Sequence, residues 1–179
     1  MSEKEAINTE VIERIKQTND NNNIGIAGEY YIASLLSYYG CVTTITLGRA
    51  KLFDILAVTP NNKSVKIQVK TTLKKDKKRM LFTSSAEDPK NIQNNLFYVF
   101  VKYIPENMEY WVINSIELAE YSKYIDAKWH SGLKKDGTLR KHGTIRNFHL
   151  KMRYTCPEDW PERLNSYYKN IGKILNYNK

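Results

Sequence analysis

Alternation over Ser64–Thr72 constrains this chain more than any other feature of its sequence. Val65, Ile67 and Val69 are interleaved there with Lys66, Gln68 and Lys70. Successive side chains of an extended strand point to opposite sides, so one side of this segment is apolar and the other polar. Upstream, Pro60-Asn61-Asn62-Lys63 supplies turn chemistry, and Leu52–Thr59 is a second apolar, β-branched run. The two runs are predicted to pair as a hairpin.

Other elements follow from periodicity and punctuation. Ala6, Ile7, Val11, Ile12 and Ile15 fall on helical spacing and predict a short amphipathic helix, packed on the body or on a second copy. The Asn-rich stretch Asn19–Asn23 ends it as a polar break. A second helix is expected from about Gly25 to Tyr39, with Ala27, Tyr31, Leu35 and Tyr38 on one face and Gly40 as its stop. Cys41–Leu47 adds a strand before the hairpin. After it, Lys74–Arg79 reads as a basic loop and Met80–Ser84 as a returning strand. Asp88-Pro89 reads as an N-cap followed by proline at the first helical position, opening a short helix. Leu96–Tyr103 and Tyr110–Ile113 are further strands, and Asn114 with Glu117 resembles a capping box for a helix through about Tyr124. Lys134–Arg146 is expected as a surface loop, Phe148–Met152 as a strand, and Trp160, Leu164, Tyr168 and Ile171 mark a closing helix.

This order (α-β-β-β-α-β, then C-terminal additions) predicts an α/β fold with a central mixed sheet flanked by helices. Residues 1–23 are set apart as the N-terminal helix and break. Residues 24–179 are read as one domain, with a core over about 24–103 and an elaboration over 104–179.

Charge narrows the class of partner. Lys plus Arg number 28 against 19 Asp plus Glu, a formal balance of +9. Such a surplus favours a polyanion, of which nucleic acid is the commonest; a merely basic surface is the bland alternative. The surplus is concentrated between Lys63 and Arg79, and again between Lys123 and Arg153. These two segments would suit the walls of one groove. Cys41 and Cys156 are isolated, with no CxxC, so neither a disulfide framework nor a zinc knuckle is expected. No apolar run approaches the roughly 18 residues of a membrane span. The first residues are charged without an apolar stretch behind them. A cytoplasmic location without a membrane partner is expected. There is no Gly-rich phosphate loop, so nucleotide hydrolysis is not indicated. His130, His142 and His149 show no metal-ligand spacing with one another or with the cysteines and are read as non-catalytic. Trp111, Trp129 and Trp160 are read as core.

The polar face of the hairpin carries the chemistry. Gln68 and Lys70 share a side of their strand, and a cross-strand Asp54 can converge with them. Asp54 lies within Leu52-Phe53-Asp54-Ile55-Leu56, where an unpaired acid is costly to bury. A carboxylate, a second oxygen donor and a lysine in one place suit metal-assisted phosphodiester hydrolysis. With Gly28-Glu29 on the preceding helix, this set resembles the PD-(D/E)XK nuclease superfamily of restriction enzymes, Holliday-junction resolvases and repair nucleases. The resemblance covers about Ile24 to Tyr103.

The resemblance implies a restriction-endonuclease-like core, Mg²⁺ or Mn²⁺ as cofactor, and DNA as partner. It implies Asp54 as the central metal ligand and Lys70 as the catalytic lysine. The Val69 backbone carbonyl would be a further ligand, and Glu29 would help hold the metal or its waters. Gln68 stands where an acid is usual, a variant similar to one found among methylation-dependent restriction enzymes. An amide oxygen can bind a hard cation but brings no charge, which throws more weight on Glu29. Phe53, not Pro, precedes Asp54. Lys74, Lys75, Lys77, Lys78 and Arg79 follow the catalytic strand directly and are expected to meet phosphates. Lys134, Lys135, Arg140, Lys141 and Arg146 form a second such set. A homodimer would supply a site for each strand of a duplex. A nucleic-acid-binding module that does not cut, and a protein-interaction subunit, remain the alternatives.

Overall fold

The computed structural model describes residues 21–46, 52–74, 76–104 and 107–177. The expected helix over Ala6–Ile15 and the basic residue Lys75 lie outside them. Helix α1 (Asn21–Tyr38) begins earlier than expected, taking in Asn21–Asn23 as its first turn. The first N–H groups of a helix need no intrahelical acceptor, so polar residues sit there at little cost. Its buried stripe is Gly28, Ile32, Ala33 and Leu36, while Tyr38 is 82% exposed. Of the expected face, Tyr31 and Leu35 pack beside this stripe against the core, and Tyr38 does not. Gly40, at φ +85°, ends the helix as expected.

Strands β1 (Val42–Ile45), β2 (Ile55–Val58) and β3 (Ser64–Thr72) form an antiparallel meander. The turn between β2 and β3 places Asn62 at φ 57° and closes through Thr59 N–H to Lys63 O at 2.9 Å. Strand β5 (Leu96–Lys102) then pairs parallel to β3, and β6 (Glu109–Asn114) antiparallel to β5, giving the order β1-β2-β3-β5-β6. Parallel pairing requires a crossover. Here β4 (Arg79–Thr83) and two 3₁₀ turns, Ser84–Glu87 and Pro89–Asn91, make it in place of the expected short helix. Asp88 does cap the second turn, accepting from Lys90 N. Strand β4 leaves the central sheet and pairs with β7 (Ile145–His149), so the last expected strand starts before Phe148 and absorbs the end of the predicted loop.

Helix α2 (Ser115–His130) starts at the expected capping box, with Asn114 Oδ1 accepting from Ile116 N, but runs past Tyr124. The closing helix is broken: α3 (Trp160–Tyr167) stops, Tyr168 bridges to Trp111, and α4 (Gly172–Leu175) follows. Lys169, at φ 49°, makes the bend.

The two faces of the central sheet bury two cores. Ile32 and Leu36 of α1 meet Ile55, Val65, Ile67 and Val69 on one face, closed by Ile171 and Ile174. Phe100, Phe148, Tyr121 and Trp160 lead the other, with Phe100 stacked on Phe148 at 4.1 Å. Each fully buried side chain of this size contributes about 1.5–3 kcal/mol, so helices and sheet are held by packing on both sides. Cys41 and Cys156 are buried free thiols. Among the described residues no helix is long and apolar enough to cross a membrane.

Gly28 sets how closely α1 approaches β3. A Cβ added there would overlap the Thr71 hydroxyl and lie 2.9 Å from its methyl carbon. Gly28→Ala is expected to lower stability in urea unfolding, because overpacking costs about 1–3 kcal/mol and helix propensity returns at most about 1 kcal/mol. In a Thr71→Ala background most of that loss should vanish; an unchanged loss would mean that Thr71 is not what limits the approach.

Candidate active site

Asp54 precedes β2 by one residue yet is held on both sides. Its N–H donates to Ile67 O at 2.8 Å, and its carbonyl accepts from Thr46 N at 2.9 Å. Because Ile55 pairs with Ile67, the next position back puts Asp54 across from Gln68, on the side of the hairpin away from α1. The carboxylate closes this corner. Asp54 Oδ2 accepts from Gln68 Nε2 at 2.6 Å and from Val69 N–H at 2.7 Å.

Burial pushes the Asp54 carboxyl above its ordinary range, and the Val69 N–H, the Lys70 ammonium and the Gln68 amide offset only part of this. Glu29 is also raised, first by burial and then by the charge of Asp54, while Lys70 pulls it down. The phenol of Tyr98 is raised by burial and by Asp54. Glu29, Asp54, Lys70 and Tyr98 thus share one electrostatic neighbourhood, in which two acids oppose each other's ionisation. Glu29 arrives from the other layer because it follows Gly28, where α1 lies tightest on β3.

Gln68 and Lys70 line a cleft of about 200 Å³ together with Thr83, Ser85, Asn91 and Tyr98. These last four were not found by sequence reasoning. Tyr98 had a readable signal, since it is in parallel register with Gln68 and side chains in register share a face. The others come from the β4 crossover, whose course no local pattern reveals.

The donors fit a hard divalent ion. Asp54 Oδ1 and the Glu29 carboxylate make no hydrogen bond among the described residues. All candidate donors are oxygens, and their mutual repulsion is what a cation relieves. Gln68 offers its nitrogen to Asp54 in this arrangement; a half-turn of the amide offers Oε1 instead. Val69, whose carbonyl the resemblance nominates, is buried with its N–H committed to Asp54.

The basic residues divide. Lys74 and Lys78 are exposed and Lys77 half-buried beyond the end of β3, and Lys134, Lys135 and Lys141 are exposed. Arg140 stacks on Trp129 at 3.9 Å and donates to its carbonyl. Arg146 corrects the expectation for it: the side chain is buried, with Nε 2.6 Å from Glu87 Oε1, so its guanidinium joins two elements and is turned from solvent. Arg79 meets Lys141 and Arg153 around a second cleft of about 250 Å³. The two basic segments therefore do converge, though at a place other than the paired carboxylates.

A helix, an antiparallel meander and a parallel strand carry an acid and a Gln-x-Lys strand to one corner. The fold is mixed α/β, a central mixed sheet flanked by helices. No family model matches the chain, and no curated protein does. Among solved structures it is similar to a bacterial homing endonuclease, I-Ssp6803I, at 13% identity, 87% coverage of this chain and 91% of that one, with a TM-score of 0.48. It is also similar to Hjc, a Holliday junction resolvase of Archaeoglobus fulgidus, at 10% identity, 70% and 83% coverage and a TM-score of 0.41. Likeness at this level bears on neither substrate nor chemistry.

A carboxyl whose pKa is raised on folding adds stability below its unfolded pKa and loses it as pH rises. Glu29→Gln should therefore unfold at higher denaturant than the parent at neutral pH, the difference closing below the ordinary glutamate pKa of about 4.3. A gain that persisted in acid would have some other origin.

Proposed function

We propose that this chain is a divalent-metal-dependent endonuclease that hydrolyses DNA phosphodiester bonds. The observation that carries the reading is the corner at Asp54, where Gln68 and Val69 fix one carboxylate oxygen while Glu29 and Lys70 share its field. Asp54, Glu29 and Gln68 would hold Mg²⁺ or Mn²⁺, with the Val69 carbonyl as a further ligand. When bound, the ion supplies Lewis-acid polarisation of the phosphate and a more acidic water.

The remaining chemistry belongs to the side chains. Lys70 places its ammonium where negative charge grows on the phosphate oxygens, which a preorganised cation stabilises without reorganisation. Thr83, Ser85 and Asn91 offer hydrogen-bond donors along the cleft, and Tyr98 excludes water from its floor. Lys74, Lys75, Lys77 and Lys78 would track the backbone of the polyanion, giving affinity without sequence information. Two copies would bring a site to each strand, and action in the cytoplasm on intracellular DNA completes the reading.

One observation favours a second reading, a module that binds nucleic acid without cutting it. Gln68 Nε2 already satisfies Asp54 Oδ2, as an ion would. Plasmid nicking with Mg²⁺ or Mn²⁺ separates the two. Asp54→Ala and Lys70→Ala should each lower the rate by roughly 10²–10³-fold with the fold intact by circular dichroism. Nicking that survives both changes removes the proposed site from the reaction, and no nicking by the parent with either ion favours the binder.

Gln68→Glu provides a further check. A third carboxylate should destabilise the metal-free protein at neutral pH and tighten Mn²⁺ binding in calorimetry. Equal Mn²⁺ affinity in both proteins would place the ion away from residue 68.

A further inference from the structure

A different cluster lies on α2 and the basic loop after it. Asp126 and His130 are one helical turn apart, and His142 folds back from the loop onto the same carboxylate. His130 Nε2 is 3.3 Å from Asp126 Oδ1, and His142 Nδ1 is 3.0 Å from Asp126 Oδ2. One donor atom from each residue falls within 4.8 Å of the others. A tetrahedral zinc site with bonds of about 2.0–2.1 Å has ligand–ligand edges of about 3.3–3.4 Å, as between His130 and Asp126; the His142 contact, to the other carboxylate oxygen, is a hydrogen bond that an ion would replace.

The hydrogen-bond pattern supplies a second, independent observation. His130 Nδ1 is 3.0 Å from the carbonyl oxygen of Arg140. A carbonyl only accepts, so Nδ1 carries a hydrogen, which leaves Nε2 as the ring's ligand atom. Nε2 faces a carboxylate oxygen of Asp126, so the atom that would ligate an ion is turned toward the second ligand. A backbone carbonyl behind the distal ring nitrogen is also how metal-bound histidines are commonly oriented. The His130 and His142 rings lie 3.6 Å apart. Arg146 approaches Asp126 at 3.4 Å, but its charge is met by Glu87.

We propose that Asp126, His130 and His142 form a zinc-class metal site that clamps the basic loop 131–144 to α2. Two imidazoles and one carboxylate suit Zn²⁺ and poorly suit Mg²⁺ or Ca²⁺, which prefer all-oxygen shells. Three protein ligands leave a fourth position for water. The ion would fix Lys134, Lys135 and Lys141, which the sequence otherwise leaves on a long polar segment, relative to the rest of the surface. The site is separate from Asp54 in sequence and in chemistry.

Cobalt and zinc titrations of the full chain, after dialysis against chelator and above the ordinary imidazole pKa of about 6.5, test this directly. The parent should bind one Co²⁺ with the visible d–d absorption of a four-coordinate ion, and Zn²⁺ should displace it. His142→Ala, at a side chain 74% exposed, leaves the fold unburdened and should weaken binding by on the order of 100-fold or more. Asp54→Asn should keep the absorption. Zinc should also slow tryptic cleavage within 131–144 in the parent but not in His142→Ala. No four-coordinate cobalt spectrum in the parent, equal zinc affinity in parent and His142→Ala, or loop protection that follows acidification alone would each overturn the site.

Discussion

Everything at the active corner depends on one carboxylate accepting a backbone N–H from the neighbouring strand. Val69 N–H points at Asp54 Oδ2, so the hairpin's own hydrogen-bonding edge holds the acid in place. Ordinary strand pairing would satisfy that N–H with a carbonyl. Here the ladder ends one residue early, at Ile55 opposite Ile67, and the side chain takes over. A buried donor left without any acceptor costs about 1–3 kcal/mol, so Asp54 joins strand pairing to site geometry in one contact. The charge is the cost of the arrangement, and burial keeps its pKa high in spite of three favourable partners.

The same contact explains why some of this was legible in the sequence. Period two over Ser64–Thr72 and the Pro60–Lys63 turn are local signals, and they placed Asp54, Gln68 and Lys70 on one face before any coordinates. The Asn114–Glu117 capping box is equally local, and it held to the residue. Of the α1 face read from the sequence, Tyr31 and Leu35 pack against the core, whereas Tyr38 does not. Tyr38 is exposed, whereas Gly28, which contributes no apolar surface, sits at the closest approach.

Long-range pairing was not legible. Nothing within Met80–Ser84 says that its partner is β7, or that β4 will leave the central sheet. The misplacement of Arg146 follows from this. In a Lys- and Gly-rich stretch a lone arginine resembles its neighbours, and only the fold reveals Glu87 opposite it. His142 reaches Asp126 through a loop closure that sequence spacing cannot register.

The β4–β7 pair has a consequence for how the cleft comes into being. Thr83 and Ser85 stand on a wall whose pairing partner is made much later in the chain. Arg146 and Glu87, which fasten that wall, are 59 positions apart. Joining ends that distant costs on the order of 4 kcal/mol of chain entropy, which local helices and the meander do not face. The wall formed by β4 and β7 is thus made of contacts of high sequence separation, whereas the Asp54 corner is made of local ones. A nascent chain would carry Glu29, Asp54 and Lys70 before it carries the partner strand of that wall.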